Sequence, residues 1–319
     1  MFRLQANSVE VEAPASSANL GPGFDVFAIA LAKPQDRLTL SVAKAPYLKV
    51  EIKFKGRRTV PLNPETNAAG AVALRMAQDL RLRSTMSIVL EKRVPVGIGL
   101  GSSAASSSAA AFAMNECFEL GLGIPELIRY AAHGEFVASG TEHYDNVAAS
   151  LMGGFVIVCS GSRGPFTRLE PPKSLAVCLA TPRVRTPERK TEYARSILPK
   201  KVELEKMVKN VSAASTIVAG FAAKDVGLIG RGMRDKVVEP ARSRMIPGYG
   251  LVRKKALEAG AVGACISGAG PTMLALVDSS KVNPTKVLRV MIDSFKEAGA
   301  SAQGFVTTIG GGVRLIHEG

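Results

Sequence analysis

The sequence predicts an α+β fold in two units. Residues 1–60 alternate apolar and polar side chains in several runs, which is typical of half-buried antiparallel strands. A strand over 84–91 leads through a glycine-rich turn into a helix, so strands and helices are mixed in the first unit. The second unit begins with a strand at 175–182 and ends with a helix at 284–298 and a strand at 303–309.

Further elements follow from apolar spacing and from glycine and proline. Apolar residues three or four positions apart predict helices over 63–80 and 124–139. Two short strands flank a second glycine-rich loop, SGAGPT (267–272). The remaining helices of the second unit are predicted at about 200–222, 224–236 and 249–259. The boundary between the units is soft, and we place the two domains at 1–165 and 166–319.

Composition limits the possible classes of protein. The chain has 319 residues, of which 46% are apolar and 21% charged, as in ordinary globular proteins. Its longest apolar stretches fall far short of the roughly 20 residues that span a bilayer, so we expect no membrane helix. The net charge of +14 keeps a basic nucleic-acid-binding protein as an alternative. However, aromatic residues make up only 5%, which leaves few stacking platforms, and we expect no nucleic-acid partner.

Cysteine usage and the opening residues predict a cytoplasmic protein. The four cysteines are scattered and form no C-x-x-C pair, which is typical of buried thiols in a reducing compartment. The opening stretch MFRLQANSVEVE is typical of a strand and contains no apolar core of a secretory signal.

The most informative stretch is PVGIGLGSSAASSSAAAF (95–112). Three glycines within five positions precede a run of alanine and serine that predicts a helix. A flexible turn at a helix N-terminus favours a phosphate, because unpaired N–H groups and the helix dipole meet there. No lysine follows the last glycine, so the Walker pattern is excluded. A plain turn, or a loose dinucleotide fingerprint in GLGSSA, stays an alternative.

The segment 13–31 carries polar groups suited to a site. Its prolines and glycines predict an ordered loop, and this loop would present Ser16, Ser17, Asn19 and Asp25.

The helix over 124–139 places Glu135 on its apolar stripe, so this carboxylate is expected to pair with an arginine or to bind a metal such as Mg²⁺. His143, Asp145 and Asn146 follow, just ahead of an apolar strand.

Three stretches together resemble the signature motifs of the GHMP kinases. They are APASSANLGPGFDVFAIAL, PVGIGLGSSAASSSAAA and CISGAGPTMLAL, in this order. Four further stretches resemble the homoserine kinase branch of this family: SANLGPGFD, HYDNVAASLMGG, EPARSRMIPGY and TEYARSILP. The resemblance runs from about residue 10 to about residue 310.

The resemblance implies a fold and an activity. The N-terminal unit would be similar to ribosomal protein S5 domain 2, with a left-handed βαβ crossover, and the C-terminal unit would be ferredoxin-like. The activity would be ATP-dependent phosphorylation of L-homoserine to O-phospho-L-homoserine, a step towards threonine. Mg²⁺ would accompany ATP, and the family resemblance also implies a homodimer. A mevalonate or shikimate kinase of the same family stays an alternative.

The resemblance also assigns residues to three sites. Ser103 and Glu135 would hold Mg²⁺. The nucleotide would lie near Asn67, Lys92, Pro95, Val96, Gly97, Ile98, Gly99, Leu100, Gly101, Ser102, Ser103, Ala104 and Ala105. Homoserine would contact Asn19, Asp25, His143, Asn146, Thr191, Arg195 and Arg242. Arginine suits a substrate carboxylate because its planar fork donates two parallel hydrogen bonds.

Two roles stay open within that assignment. Arg244 is an alternative to Arg242 in the carboxylate site. Asp25 and Asn146 are the predicted catalytic residues, yet an asparagine cannot accept a proton where some relatives have an aspartate base. In a loose transition state the alcohol loses its proton late, so we expect Asp25 to orient the acceptor rather than to deprotonate it.

Overall fold

The fold is described by a computed structural model that covers residues 7–56, 60–159, 164–185 and 190–318. Its strands are β1 (Ser8–Asn19), β2 (Gly23–Lys44), β3 (Lys49–Phe54), β4 (Ser84–Glu91), β5 (Phe155–Val158), β6 (Phe166–Leu169), β7 (Leu175–Pro182), β8 (Gly263–Ile266), β9 (Met273–Asp278), β10 (Ala302–Thr308) and β11 (Arg314–Glu318). Its helices are α1 (Ala68–Asp79), α2 (Ser102–Cys117), α3 (Ile124–Ser139), α4 (Tyr144–Met152), α5 (Lys190–Ser196), α6 (Leu204–Ala223), α7 (Val226–Gly232), α8 (Val238–Arg242), α9 (Tyr249–Glu258) and α10 (Pro284–Glu297).

The larger sheet has the order β11-β1-β2-β4-β3, and β5 joins β2 to β6. Its pairs are antiparallel except β3 and β4, which are parallel and are connected through α1. The left-handed sense of this crossover stays a prediction. Helix α2 packs on β1 and β2 and contacts α1, α3 and α4. The main apolar core therefore lies between this sheet and a layer of helices that includes the one after the glycine-rich turn.

The smaller sheet has the order β10-β7-β9-β8, with antiparallel pairs. Counted within this unit, the order is fourth, first, third, second, which together with the intervening helices is the ferredoxin-like arrangement. Helix α10 packs on β7, β9 and β10, and a second apolar core lies there. The predicted α+β class and the ferredoxin-like unit are thus confirmed.

Two strands from the second half of the chain belong to the larger sheet. Strand β6 pairs with β5, and the last strand β11 pairs with β1, although both follow residue 165. The domain boundary at 165 stays a prediction. None of the helices in the described ranges combines the length and the hydropathy that crossing a bilayer requires.

Most predicted elements coincide with observed ones, but residues 13–31 differ. The strand at 84–91 and the helix at 124–139 are confirmed residue for residue. Residues 13–31 are not a loop: they form the end of β1 and the start of β2, joined by a short turn after Asn19. The prediction was wrong because most of these residues are buried whichever face they lie on, so no alternation marks the strands.

The residues after α3 also differ from expectation. Helix α4 intervenes between His143 and the apolar strand β5, so Asp145 and Asn146 lie in its first turn. The opening strand predicted from residue 1 begins at Ser8, and residues 1–6 of that prediction lie outside the described residues.

Candidate active site

A cavity of about 820 Å³ is lined by the glycine-rich turn, the β1–β2 turn and helix α5. Most of the predicted site residues line it together: Asn19, Asp25, Asn67, Lys92, Val96, Gly97, Gly99, Leu100, Gly101, Ser102, Ser103, Glu135, His143, Asn146, Thr191, Arg195 and Arg242. Four predicted residues lie outside this lining. Ala104 and Ala105 are buried in α2, Ile98 packs against the core, and Pro95 is solvent-exposed.

The glycines of the turn are required by close approaches to two other segments. Gly99 has φ +87°, and a Cβ there would lie 2.4 Å from the carbonyl oxygen of Ser267. Gly101 has φ +60°, and its Cβ would lie 2.1 Å from Oγ of Ser16. By contrast, a Cβ on Gly97 would meet nothing within 4 Å. The three signature stretches therefore lie so close together that neither Gly99 nor Gly101 has room for a side chain.

Hydrogen bonds fix these stretches to one another. The amide of Ser16 donates to the carbonyl oxygen of Leu100 at 3.1 Å. Oγ of Ser267 donates to the carbonyl oxygen of Gly99 at 2.7 Å. Because two carbonyl oxygens of the turn are held from outside, the turn presents a preorganised main-chain surface to the cavity.

Helix α2 begins at this surface. Its N-cap is Gly101, in the left-handed region, and no side chain among the described residues caps it. The N–H groups of the first helical turn have no partners within the helix, and the positive end of the helix dipole lies at the cavity. This arrangement can bind phosphate oxygens.

A buried ion pair supports the turn. Nζ of Lys92 donates to Asp36, to the carbonyl oxygen of Ser102 at 2.8 Å and to Oγ of Ser106 at 2.8 Å. Oδ1 of Asp36 accepts from the main-chain amides of residues 93 and 94, both at 2.8 Å. Burial lowers the pKa of Lys92, and Asp36 opposes that effect.

The sequence predicted Lys92 at the nucleotide but did not predict its partner. All three hydrogens of the Lys92 ammonium group have acceptors within the protein, so this side chain holds the turn and the start of α2 together. Asp36 was missed because it lies in an alternating strand, where a single acidic residue usually marks the solvent face.

Glu135 lies on α3 and is only 4% exposed. Its Oε2 is 3.7 Å from Nδ1 of His143, and its Oε1 has no hydrogen-bond partner among the described residues. The sequence left an arginine open as the partner of Glu135, but no arginine pairs with this carboxylate among the described residues. Burial lowers the pKa of His143, but Glu135 and then Asp145 outweigh burial, so the net shift is upward.

Asp145 was not assigned a role from the sequence, yet it lines the cavity. It is 2% exposed, and burial, reinforced by the charge of Asp25, raises its pKa to about 6. Its Oδ1 accepts from the main-chain amide of Asn146 at 2.7 Å and from Nδ2 of Asn146 at 3.2 Å. Oδ1 of Asn146 accepts from Oγ of Ser16 at 2.8 Å, so the Asn146 amide is fixed on both sides.

At the opposite end of the cavity, charged side chains from several elements meet. Nη2 of Arg195 lies 3.0 and 2.8 Å from the two carboxylate oxygens of Asp25. Asp25 has φ +54°, and its amide donates to Oδ1 of Asn19 at 3.2 Å. Nδ2 of Asn19 donates to the carbonyl oxygen of Gly268 at 3.0 Å, which ties this turn to the second glycine-rich loop.

Arg242 enters this end from α8. It is 4% exposed, and its Nη1 donates to the carbonyl oxygen of Gly268 at 3.1 Å. Its Nε donates to the carbonyl oxygen of Ala194 at 3.2 Å, and burial lowers its pKa. Arg244, the alternative, is exposed and lines a neighbouring cavity of about 840 Å³ instead.

Lys190 is another residue that was not assigned a role from the sequence. It begins α5 next to Thr191, lines the cavity, and donates from Nζ to the carbonyl oxygen of Gly270. Burial, reinforced by Arg242, lowers its pKa to about 8. The sequence signal that could have indicated this role is its position directly before Thr191, in the stretch KTEYARSILP.

Comparisons with known proteins agree with this architecture. Residues 67–154 match the family described as GHMP kinases N terminal domain, and residues 217–297 match GHMP kinases C terminal. A homoserine kinase from Methanocella arvoryzae is 43% identical over 98% of both chains. One from Natronomonas pharaonis is 41% identical over 97% of this chain and 100% of that protein.

A solved structure extends the likeness to three dimensions. The crystal structure of homoserine kinase from Cytophaga hutchinsonii superposes with a TM-score of 0.89 and 35% identity, covering 99% of both chains. The predicted two-domain fold is therefore confirmed, and this chain belongs to the GHMP kinase family, in its homoserine kinase branch.

Proposed function

We propose that this enzyme transfers the γ-phosphoryl group of ATP to the side-chain hydroxyl of L-homoserine, giving O-phospho-L-homoserine and ADP. The observation that carries the proposal is the pairing of Asp25 with Arg195 inside the cavity that also contains the glycine-rich turn. An amino acid brings an ammonium and a carboxylate group, which complement these two side chains. Mevalonate and shikimate carry no ammonium group for Asp25.

The nucleotide is assigned to the glycine-rich end of the cavity. The main-chain amides between Val96 and Ala104, which include those of the first turn of α2, would surround its phosphates, since they combine unpaired donors with the helix dipole. Lys92 keeps this surface in place through Asp36. Asn67 caps α1 by accepting from the amides of Ala69 and Gly70 at 3.0 and 3.2 Å, and it lines the same cavity.

The described residues fit a magnesium ion beside the phosphates. Oε1 of Glu135 is buried and lacks a partner among the described residues, which is unfavourable for a carboxylate unless a cation completes its environment. No group of three or more His, Cys, Asp and Glu side chains in the described ranges could hold a metal alone. Mg²⁺ commonly uses one or two protein ligands plus phosphate oxygens and waters, so Glu135 and Ser103 would suffice. When bound, the ion would neutralise phosphate charge.

The acceptor would occupy the charged end. Its carboxylate would bind Arg195 and Arg242, and its ammonium group would bind Asp25, Asn19 and the other oxygen acceptors there. Homoserine would thus exchange the internal Asp25–Arg195 pair for two intermolecular pairs. His143 and Thr191 would complete the contacts.

Transfer itself would depend on placement and charge more than on a strong base. The amide of Asn146 cannot accept a proton, and it is held between Ser16 and Asp145. In a loose transition state the acceptor hydroxyl loses its proton late, so a fixed geometry and cationic surroundings supply most of the acceleration. Asp25 would orient the acceptor.

The test is release of ADP in the presence of homoserine, mevalonate, shikimate or threonine, each supplied separately at the same concentration. We expect a strong preference for homoserine. A preference for mevalonate or shikimate would overturn the substrate while leaving the family unchanged. Tight nucleic-acid binding that weakens steeply with salt, together with no kinase activity, would favour the basic binding protein instead.

We also propose that the enzyme acts as a homodimer in the cytoplasm. Helix α6 exposes Leu204, Met207, Val208 and Val211, which are spaced to share one face. A second copy covering this face would bury apolar surface that a monomer leaves in water. Light scattering should give a dimer for the wild type and a monomer for Val208→Glu, while Leu62→Glu, at another exposed apolar residue, should stay dimeric.

A further inference from the structure

Two guanidinium groups lie over the ring of Phe24. Cζ of Arg195 is 5.3 Å from the ring centroid, and Cζ of Arg242 is 5.1 Å from it. The three residues come from β2, α5 and α8, and Phe24 also lines the candidate active site. The ring is therefore a physical link between two arginines that cannot hydrogen-bond to each other, because both guanidinium groups are donors only.

Each arginine is tied to the cavity in its own way. Arg242 is anchored through Nε and Nη1 to two carbonyl oxygens. Arg195 is held through Nη2 by Asp25, while its Nε is buried without a partner among the described residues. An unpaired buried donor is unfavourable, so an acceptor from outside the chain would stabilise this group.

The two guanidinium groups carry like charges and repel each other unless something compensates. Burial lowers the pKa of Arg242; Asp25 opposes that shift, and Arg195 adds to it. The face of an aromatic ring carries negative potential and attracts a cation within about 6 Å of its centroid. Phe24 meets that distance criterion for both guanidinium groups. A leucine would fill much of the space but would provide no such attraction.

We propose that Phe24 is a positioning residue for the acceptor carboxylate. Its ring holds the guanidinium groups of Arg195 and Arg242 side by side, so that both can donate to one carboxylate. This inference rests on the proposed function, because it needs an acceptor that carries a carboxylate. It assigns no chemical step to Phe24.

The test replaces Phe24 by phenylalanines with one and then three ring fluorines, which weaken the negative potential of the ring while nearly preserving its size. Calorimetry measures the dissociation constants of L-homoserine and of ATP. We expect the dissociation constant of homoserine to rise stepwise with the number of fluorines, to about tenfold the wild-type value. The ATP constant should stay within about twofold. In steady-state assays the effect should fall on the KM for homoserine, with kcat little changed.

Two further variants separate positioning from a merely structural role. Phe24→Leu should weaken homoserine binding as much as the most fluorinated ring does. Phe24→Tyr keeps an aromatic ring and should bind homoserine as tightly as the wild type. 3-Amino-1-propanol, which lacks the carboxylate, should bind all variants equally.

An unchanged homoserine constant across the fluorinated series, or a parallel loss of ATP binding, would overturn the proposal. If Phe24→Leu does not fold, the fluorinated series still decides. Failure of the proposed function would differ, because wild-type enzyme would then not phosphorylate homoserine at all.

Discussion

The two ends of the candidate active site are built in different ways. At the end proposed for the nucleotide, the glycine-rich turn presents main chain to the cavity: Gly99 and Gly101 approach neighbouring segments so closely that a Cβ would collide with them. At the end proposed for the acceptor, charged side chains meet, and Asp25 and Arg195 are 170 positions apart in sequence. The nucleotide end should therefore be sensitive to backbone shape, and the acceptor end to charge.

The shape of the nucleotide end depends on the buried ion pair beneath it, and loss of that pair should give the largest effect. Lys92→Met leaves the fully buried carboxylate of Asp36 without its cation, which should lower the free energy of unfolding by about 3–5 kcal/mol. Urea denaturation measures the change. Arg75→Met, which breaks the exposed pair with Asp79, should change stability by less than about 1 kcal/mol. Similar values for the two variants would contradict a supporting role for Lys92.

Near the acceptor end, the next largest effect is expected at Asp145, whose buried carboxyl group has its pKa raised from 3.8 to about 6. The carboxyl group of Asp145 therefore holds its proton more tightly in the native state than in the unfolded state. As pH rises from about 4 to about 6, this group lowers the free energy of unfolding of the wild type. Asp145→Asn lacks this dependence.

Between about pH 4 and about pH 6, the free energy of unfolding of Asp145→Asn should therefore rise relative to that of the wild type. The gain should reach about 3 kcal/mol above pH 6. Unfolding curves measured below, within and above the interval would give the difference. A difference that stays constant with pH would show that Asp145 does not titrate as described.

The close packing of the turn itself is tested at Gly99. Gly99→Ala forces a Cβ to 2.4 Å from one carbonyl oxygen and 2.9 Å from another, at a φ of +87°. We expect kcat/KM for ATP to fall by about a hundredfold, because a displacement of about 1 Å is enough for such a loss. Steady-state kinetics at saturating homoserine would measure it.

Gly97→Ala is the matched control, since this glycine also has a positive φ of +78° but faces open space. Gly97→Ala should lower the free energy of unfolding only by the strain of the left-handed conformation, about 1–2 kcal/mol. It should leave kcat/KM for ATP close to the wild-type value. Equal losses of activity in the two variants would mean that close packing of the turn is unimportant.

The smallest effect is expected for Asp25→Asn. If Asp25 orients the acceptor, its loss removes a charged hydrogen bond, and the KM for homoserine should rise about tenfold. The KM for ATP should be unchanged. A loss of several orders of magnitude in kcat would instead identify Asp25 as a true base, and near-normal kinetics would remove it from the mechanism.

Much of the nucleotide end could be predicted from sequence because its parts are local. A glycine-rich turn and the helix that follows it are consecutive in the chain and end at Cys117, and their propensities act on neighbouring residues. The segment 13–31 was harder, since its strands are buried on both faces and lack the alternation that marks a half-buried strand.

Chain order and residue type were enough to predict the α+β class and to suggest a phosphate-binding role for the glycine-rich turn, and the family resemblance added the charged groups proposed for an amino-acid acceptor. The groups that those residues meet became visible only in three dimensions. Folding paired Lys92 with Asp36, left Oε1 of Glu135 without a partner among the described residues, brought Lys190 into the cavity and placed two guanidinium groups over the ring of Phe24. Burial and charge pairing depend on distances between remote segments, whereas turn and helix propensities depend on neighbours along the chain.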